Sequence, residues 1–188
     1  MPASFIHLRV HSEYSIRDGI VRIKPLIETV IKSKMPAVAV NDDNNLFALV
    51  KFYQAAQELG GKPLVSVDVM VTSKEATDSP SPFVLFALNE IGYKNLSQLL
   101  SKSYIEAAAD IVGKENTNIE ASPSTGSEDF ADFLKVTPGA YCKLGHEGNV
   151  ALHSPNFYLD PKSIFTGSAI LSRTVSYTHL TLPTKRIV

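Results

Sequence analysis

The stretch "MPAVAVNDDNNLFALVKFYQAAQELGGKPLVSVDVMV" (35–71) decides the fold class, because a strand, a helix and a second strand follow one another in it. The apolar run 35–40, which is bounded by Pro36 and by polar residues, predicts a short buried strand. Residues 45–61 carry apolar side chains at helical spacing and end in two glycines, which predicts a helix. Residues 62–71 predict the next strand. Such strand–helix–strand units are typical of parallel sheets.

The same alternation continues on both sides of this stretch. Residues 5–10 predict a first strand, and Pro25 suits the first turn of a helix that follows it. Residues 83–88 predict a fourth strand and residues 92–109 a third helix, with a polar loop at 72–82. The order β-α-β-α-β-β-α predicts an α/β fold with mostly parallel strands and helices outside. Folds of this class build their sites at the carboxyl ends of the strands.

The second half of the chain has weaker patterns. Residues 113–129 are polar and predict a long loop or a flexible insertion. Residues 130–136 are compatible with a short helix, and 148–172 hold short apolar runs broken by Pro155 and Pro161. No internal repeat is visible.

The last residues differ in character from the rest. "VSYTHLTLPTKRIV" (175–188) resembles a tail that recurs on unrelated proteins deduced from assembled environmental reads, the translation of sequencing-adapter bases. We therefore predict that 1–173 form one domain portion and that 174–188 are not native. A genuine C-terminal strand is the alternative. The residues excluded from the functional reasoning on this ground are His179, Lys185 and Arg186.

Composition predicts a soluble globular protein. The 188 residues are 44% apolar and 20% charged, and the net charge of −1 gives no sign of a strongly basic nucleic-acid-binding face. The single cysteine, Cys142, excludes a disulfide within the chain and fits a reducing cytoplasm. No apolar run approaches the roughly 18 residues of a membrane helix, and the N-terminus lacks the pattern of a signal peptide. A cytoplasmic protein is expected.

Polar side chains cluster at the predicted strand ends. In the first strand, alternation places His7, Arg9 and His11 on one face. Asp42 and Asp43 directly follow the second strand, and Asp68 lies within the third. Imidazole and carboxylate together suit a Zn, Mn or Fe ion that activates water and holds a phosphate.

Plainer interpretations stay open for each residue. Asp42 or Asn44 fits the cap of the following helix, and His11 fits a hydrogen-bonded structural histidine. Asp68 needs a partner inside an apolar strand, and Arg9 is able to supply one.

Three segments carry a family resemblance: "FIHLRVHSEYSIRDG" (5–19), "PAVAVNDDNNLFALVKFYQAAQELGGKPLVSVDV" (36–69) and "LNEIGYKNLSQLLSKSY" (88–104). Together they resemble the N-terminal polymerase-and-histidinol-phosphatase (PHP) domain of the alpha subunit of bacterial DNA polymerase III, the replicative family C polymerase. The resemblance is collinear over about residues 4–106 and fades beyond 110. It implies a distorted (β/α)7 barrel, of which this chain would be the N-terminal portion, with a metal cluster at the rim.

The chain departs from the metal-binding motifs that the resemblance implies. In the His-x-His motif, Arg9 stands at the first histidine and His11 at the second. In the Asp-His-Gly-Asn motif, the ends match and the centre does not. The four residues there are Asp42, Asp43, Asn44 and Asn45. Asp68 stands where a glutamate is expected, and a later histidine falls near Pro82 or Phe83.

These departures favour a domain without metal. A guanidinium is never a metal ligand and stays charged, so we expect Arg9 to fill the metal's space and to pair with Asp42, Asp43 or Asp68. His11 and these three aspartates would be a degenerate metal site, with His7 and Arg9 as structural residues and none catalytic.

The resemblance also implies a role. The domain would brace the polymerase core and dock the proofreading exonuclease subunit, and DNA and deoxynucleotides would bind through domains outside this chain. No cofactor is expected here, whereas the parent DNA-directed DNA polymerase, a nucleotidyltransferase, uses Mg. The alternative is a metal-dependent PHP phosphoesterase, with Zn or Mn, that acts on 3′ ends, pyrophosphate or small phosphate esters. A membrane partner is not expected.

Overall fold

The strands form one mixed sheet in a computed structural model that describes residues 5–72, 80–119, 132, 141–151, 153–176 and 179–181. The described strands are β1 (Val38–Val40), β2 (Pro63–Thr72), β3 (Ser81–Phe86) and β4 (His179–Thr181). The described α-helices are α1 (Ile23–Lys32), α2 (Leu49–Leu59), α3 (Glu90–Val112) and α4 (Pro161–Ser176). The α/β class is therefore as predicted.

The sheet is less parallel than expected. β1 runs parallel to β2, with Val38 opposite Pro63. β3 is antiparallel to β2 over six residue pairs, and Asp68 lies opposite Val84. The reason is the short connection of residues 73–80, since a parallel crossover needs about a dozen residues or more. These strands form an open sheet over the described residues, and the (β/α)7 barrel is not confirmed.

The predicted first strand is reduced to a single bridge. His7 pairs in parallel with Val38, and the Ala39 amide donates to the His7 carbonyl at 2.9 Å. Further along, the Val10 amide donates to the side chain of Asn41 at 3.1 Å instead of to a backbone carbonyl. The Asn41 amide in turn donates to the Val10 carbonyl at 2.9 Å, so 5–10 lies beside β1 but forms only the one bridge to it.

Two apolar clusters pack the helices onto the sheet. In the first, α1 and α2 pack on β1, and Ile27 and Phe52 are almost fully buried. In the second, α3 covers β2 through Leu96 and Leu100. Pro25 lies in the first turn of α1, as predicted.

Helix α2 is shorter than the predicted helix 45–61. It begins at Leu49, and Ala48 precedes it without any side-chain cap. Asn45 occupies its own turn, in which its side-chain oxygen accepts from the Phe47 amide at 3.0 Å. The helix ends at Gly60, whose φ of +78° is the left-handed conformation that glycine adopts readily.

Helix α4 was not predicted from the sequence. It packs against α3, buries Ile170 and joins α3 through an ion pair of Arg173 and Asp110 at 2.8 Å. Its end and β4, which pairs in parallel with β2, fall within 174–188. The non-native origin of this tail stays a prediction.

The predicted insertion 113–129 is described only as far as residue 119, with a 3₁₀ turn at Lys114–Asn116. Its remainder lies outside the described residues, as does 130–136 apart from residue 132. None of the described helices has both the length and the apolar character to cross a membrane.

Candidate functional site

The centre of the site is the carboxylate of Asp68, which is only 5% exposed. Its Oδ2 accepts from Arg9 Nε at 2.7 Å and from Arg9 Nη2 at 2.6 Å. The same oxygen lies 2.9 Å from His11 Nε2. The other oxygen, Oδ1, is buried and has no hydrogen-bond partner among the described residues. Asp68 therefore directs one oxygen at both Arg9 and His11, as the sequence predicted for Arg9.

His11 lies between two carboxylates. Its Nδ1 is 2.8 Å from Asp18 Oδ2, on the side of the ring away from Asp68. Partial burial lowers the pKa of His11, but the hydrogen bonds to Asp68 and Asp18 outweigh it, and the net pKa is raised. Each ring nitrogen thus faces a carboxylate oxygen, and neither is directed at an open position where a metal could bind.

Asp42 is held by the backbone and side chain of one serine. Ser12 donates its amide to Oδ1 and its hydroxyl to Oδ2, both at 2.7 Å. Burial raises the pKa of Asp42, although the hydrogen bonds from Ser12 counteract the rise. Asp42 thus fixes the loop after residue 11, and the alternative that it caps α2 is wrong.

Asp43 lies beside Asp68 and pairs with a different arginine. The two aspartates form a parallel backbone bridge, and Arg17 Nη1 is 3.4 Å from Asp43 Oδ2. Burial raises the pKa of Asp43, with Arg17 lowering it in part. Arg9 therefore pairs with Asp68 alone of the three aspartates proposed for it, and Arg17 takes Asp43.

Asn44 has a left-handed backbone with φ of +51°, a region that glycine and asparagine enter most easily. This conformation explains how Asn44 stands where the PHP motif has glycine. The Tyr104 hydroxyl donates to the Asn44 carbonyl at 2.7 Å, and burial raises the pKa of Tyr104 to about 12. The Asn44 side chain donates to Ser103 rather than capping α2, so that alternative is also wrong.

The structure does not bring every predicted residue to the site. His7 is exposed, and its ring meets Phe5 edge to face at 4.8 Å between centroids. The prediction that His7 shares a face with Arg9 and His11 is wrong, because residues 5–10 do not form a regular strand. Pro82 and Phe83 lie in β3 opposite Met70 and Val69, are exposed, and offer no metal-binding atom.

Sequence reasoning missed the loop residues that complete the site. These residues are Ser12, Ser15, Arg17 and Asp18. They belong to the quoted segment 5–19, where several polar residues precede Gly19. Such a polar turn beside a strand end was the available signal, but its spacing follows no regular period.

The donor set does not fit a divalent metal ion. No three His, Cys, Asp or Glu side chains of the described residues are grouped as a metal would need. The carboxylate oxygen at the centre of the site, Asp68 Oδ2, is already shared by Arg9 and His11. A metal ion there would lie against a permanent positive charge.

Comparisons with known proteins agree with the resemblance. The PHP domain family matches residues 7–164. The DNA polymerase III alpha subunit of Pseudomonas fluorescens is 47% identical over 106 residues, which are 56% of this chain and 9% of that protein. That of Pseudomonas aeruginosa is 45% identical over 146 residues, 78% of this chain and 12% of that protein.

The chain thus spans about a tenth of the length of these curated relatives. A solved structure of a candidate metal-dependent phosphoesterase from Bifidobacterium adolescentis has a TM-score of 0.41 at 15% identity, over 65% of this chain and 42% of that one. A likeness this weak decides nothing about function. On the family match and the polymerase relatives, the chain belongs to the PHP domain family and is similar to the N-terminal region of DNA polymerase III alpha subunits.

Proposed function

We propose that this chain is the PHP portion of a replicative DNA polymerase III alpha subunit and that the domain works there as a metal-free scaffold. The parent protein would be a DNA-directed DNA polymerase. The identity to alpha subunits over much of the chain supports the assignment to that protein. The ion pairs at the rim support the metal-free role.

The observation that carries the proposal is the sharing of Asp68 Oδ2 by Arg9 and His11. A carboxylate in a metal site needs a free oxygen lone pair directed at an open position. Here the oxygen that faces the rim is used by a cation that belongs to the chain itself. The cluster then stabilises the loop 12–19 against β2, which is a structural task.

The chain by itself would be inactive in nucleotide transfer. Phosphoryl transfer by polymerases uses Mg ions held by carboxylates, which would lie in a domain outside these 188 residues. Polymerase core, proofreading exonuclease subunit, DNA and deoxynucleotides would all be partners of the parent protein. The domain's own contribution would be contact surface for the first two.

A metal-dependent phosphoesterase is the second candidate. The buried Asp68 Oδ1, without a hydrogen-bond donor among the described residues, is the observation that favours it. A metal would satisfy this oxygen. Arg9 stands against it, since its guanidinium would have to leave before a metal could bind close by.

Metal retention decides between the two candidates. The purified chain is mixed with Zn or Mn, desalted and analysed for metal, beside the variants Arg9→His and Arg22→His. We expect far less than one equivalent on all three, because Arg9→His restores one motif position while Asp43 and Pro82 still depart from the pattern. Stoichiometric metal on the unaltered chain would overturn the metal-free role, and stoichiometric metal on Arg9→His alone would show that Arg9 is the only barrier.

The scaffold role is tested in a chimera. The chain replaces the matching region of the Pseudomonas aeruginosa alpha subunit, and polymerase activity and binding of the exonuclease subunit are measured. Both should persist in the chimera and fall together in Arg9→Ala, because the altered domain supports its neighbours less well. A chimera that polymerises and binds the exonuclease normally with the entire PHP region deleted would contradict the scaffold role.

A further inference from the structure

We infer that Asp18 is a positioning residue for His11: it holds Nδ1 of the ring and thereby directs Nε2 onto Asp68. The inference rests on the proposed metal-free scaffold and deepens it by naming the residue that holds the imidazole of the rim in place. Asp18 lies in the segment 5–19 but in neither of the two metal-binding motifs.

The geometry of the ring carries the inference. The two nitrogens of an imidazole point in different directions, and each here faces a carboxylate oxygen at hydrogen-bond distance. Nδ1 is 2.8 Å from Asp18 Oδ2, and Nε2 is 2.9 Å from Asp68 Oδ2. Two fixed acceptors on opposite sides leave the ring one orientation, since a flipped ring would misplace both nitrogens.

Asp18 is itself fixed although its side chain is 56% exposed. Its Oδ1 accepts from the hydroxyl of Ser15 at 2.8 Å, and Ser15 is fully buried. The same hydroxyl accepts from the Asp43 amide at 3.2 Å, next to the end of β1. The amides of Asp18 and Gly19 both donate to the Ser15 carbonyl, at 3.2 and 2.8 Å. Backbone and side chain therefore set the direction of this carboxylate independently of His11.

The result is a continuous chain of polar contacts from the loop to the sheet. It runs from Ser15 through Asp18 and His11 to Asp68, where Arg9 joins it. Within this series of contacts, His11 is the residue that touches both the loop carboxylate of Asp18 and the strand carboxylate of Asp68. If Asp18 did not hold Nδ1, the ring would rotate, and Asp68 would keep only the guanidinium.

Nuclear magnetic resonance of the histidine ring tests the inference. The 188-residue chain, labelled with ¹⁵N in histidine, is compared with Asp18→Ala, with Asp18→Asn, which keeps an acceptor oxygen, and with the control Asp110→Ala. Asp110 is another half-exposed aspartate in an ion pair, on α3. Circular dichroism checks that each variant is folded.

We expect the Nδ1–H signal of His11 to exchange slowly with water in the unaltered chain. Asp18→Ala should lose this protection, Asp18→Asn should keep it at least in part, and Asp110→Ala should match the unaltered chain. A protected Nδ1–H in folded Asp18→Ala would overturn the inference, as would a freely exchanging Nδ1–H in the unaltered chain. If Asp18→Ala does not fold, the comparison of the unaltered chain with Asp18→Asn still tests whether Asp18 holds Nδ1 of His11.

The outcome is separable from that of the proposed function. Metal retained by the unaltered chain would refute the metal-free role, yet protection of Nδ1 that depends on Asp18 would survive it. Conversely, a chain that retains no metal but has a freely exchanging Nδ1 would refute the role of Asp18 alone.

Discussion

The two oxygens of the Asp68 carboxylate have very different surroundings. Oδ2 receives both Arg9 and His11, whereas the buried Oδ1 meets no donor among the described residues. The sequence predicted the Arg9 partner, because an acid inside an apolar strand requires a counter-charge. It did not predict Asp18 beside His11, because that contact depends on how the loop turns at Ser15.

Arg9→Ala should destabilise the chain by about 1–2 kcal/mol in urea-induced unfolding. Hydrogen bonds to charged groups are worth about 1.5–3 kcal/mol, and this value is reduced because the Arg9 side chain is 56% exposed. The stability of Arg9→Lys should lie between that of Arg9→Ala and that of the unaltered chain, since lysine keeps the charge but lacks the paired donors of the guanidinium. The control is Arg22→Ala, because Arg22 is an exposed arginine at the start of α1. Equal stability of Arg9→Ala and Arg22→Ala would show that the ion pair contributes nothing.

Stability should decline as the pH rises above the ordinary histidine range. The pKa of His11 is raised in the folded chain, so the folded state binds its proton more tightly than the unfolded state. The contribution is complete below the unfolded pKa of about 6.5 and is lost as the pH passes through the higher folded value.

The free energy of unfolding, measured between about pH 6 and pH 8.5, checks this sign. His11→Gln should remove the part of the slope that belongs to His11. A slope that is identical in both proteins would mean that folding leaves the pKa of His11 unchanged.

At the scale of elements, periodic patterns were predicted best. β2 and α3 lie within a few residues of their predicted bounds, because each is a long run with one consistent period. The prediction of a first strand was wrong: residues 5–10 form a single bridge to β1, and the Val10 amide donates to the side chain of Asn41. The antiparallel direction of β3 follows from its short connection, which the strand pattern alone does not reveal. Helix α4 is not apparent from the sequence, because Pro155 and Pro161 interrupt the apolar runs there, although Pro161 begins the helix.

The loop that carries Asp18 depends on Gly19. A Cβ at this position would overlap the carbonyl oxygen of Ser12 and come within 2.9 Å of the Ser15 Cβ. Ser12 cannot retreat, because it is fully buried and donates twice to Asp42. Gly19→Ala should therefore cost about 3 kcal/mol, the upper part of the usual range for overpacking.

Thermal or urea unfolding of Gly19→Ala checks this prediction, with Gly145→Ala as its control. Nothing lies within 4 Å of a Cβ at Gly145, so that variant should be neutral or slightly more stable. Two variants of equal stability would refute the close approach of Gly19 to Ser12.

At the scale of the whole molecule, the α/β class was predicted from the sequence, whereas the predicted (β/α)7 barrel is not confirmed by the described strands. Helical and strand periods are local properties, whereas closure depends on strands that are far apart along the chain. The described part leaves several large apolar side chains strongly exposed. The most exposed of them are Leu88 (93%), Ile20 (90%), Phe165 (77%), Tyr158 (71%), Ile91 (70%) and Leu171 (70%).

This surface predicts that the 188-residue chain associates with itself or with apolar dyes. Exposed apolar patches favour association, because water is released when they are covered. Sedimentation velocity should show larger species as concentration rises, and the dye ANS should fluoresce. The variant Leu88→Ser/Ile91→Ser should reduce both effects without loss of melting temperature, whereas Leu100→Ser, at a buried position, should lower it. A strictly monomeric chain that binds no dye would contradict the prediction.

The sharing of Asp68 also constrains the order in which this site could ever be rebuilt. Removing Arg9 first leaves a buried acid that relies on His11 alone, and replacing Asp43 with the histidine of the motif first takes the carboxylate away from Arg17. Each single step back toward a metal-binding rim therefore passes through a less stable protein, although the steps together need not. The arginine is in this sense entrenched, because its replacement becomes favourable only together with other changes at the rim.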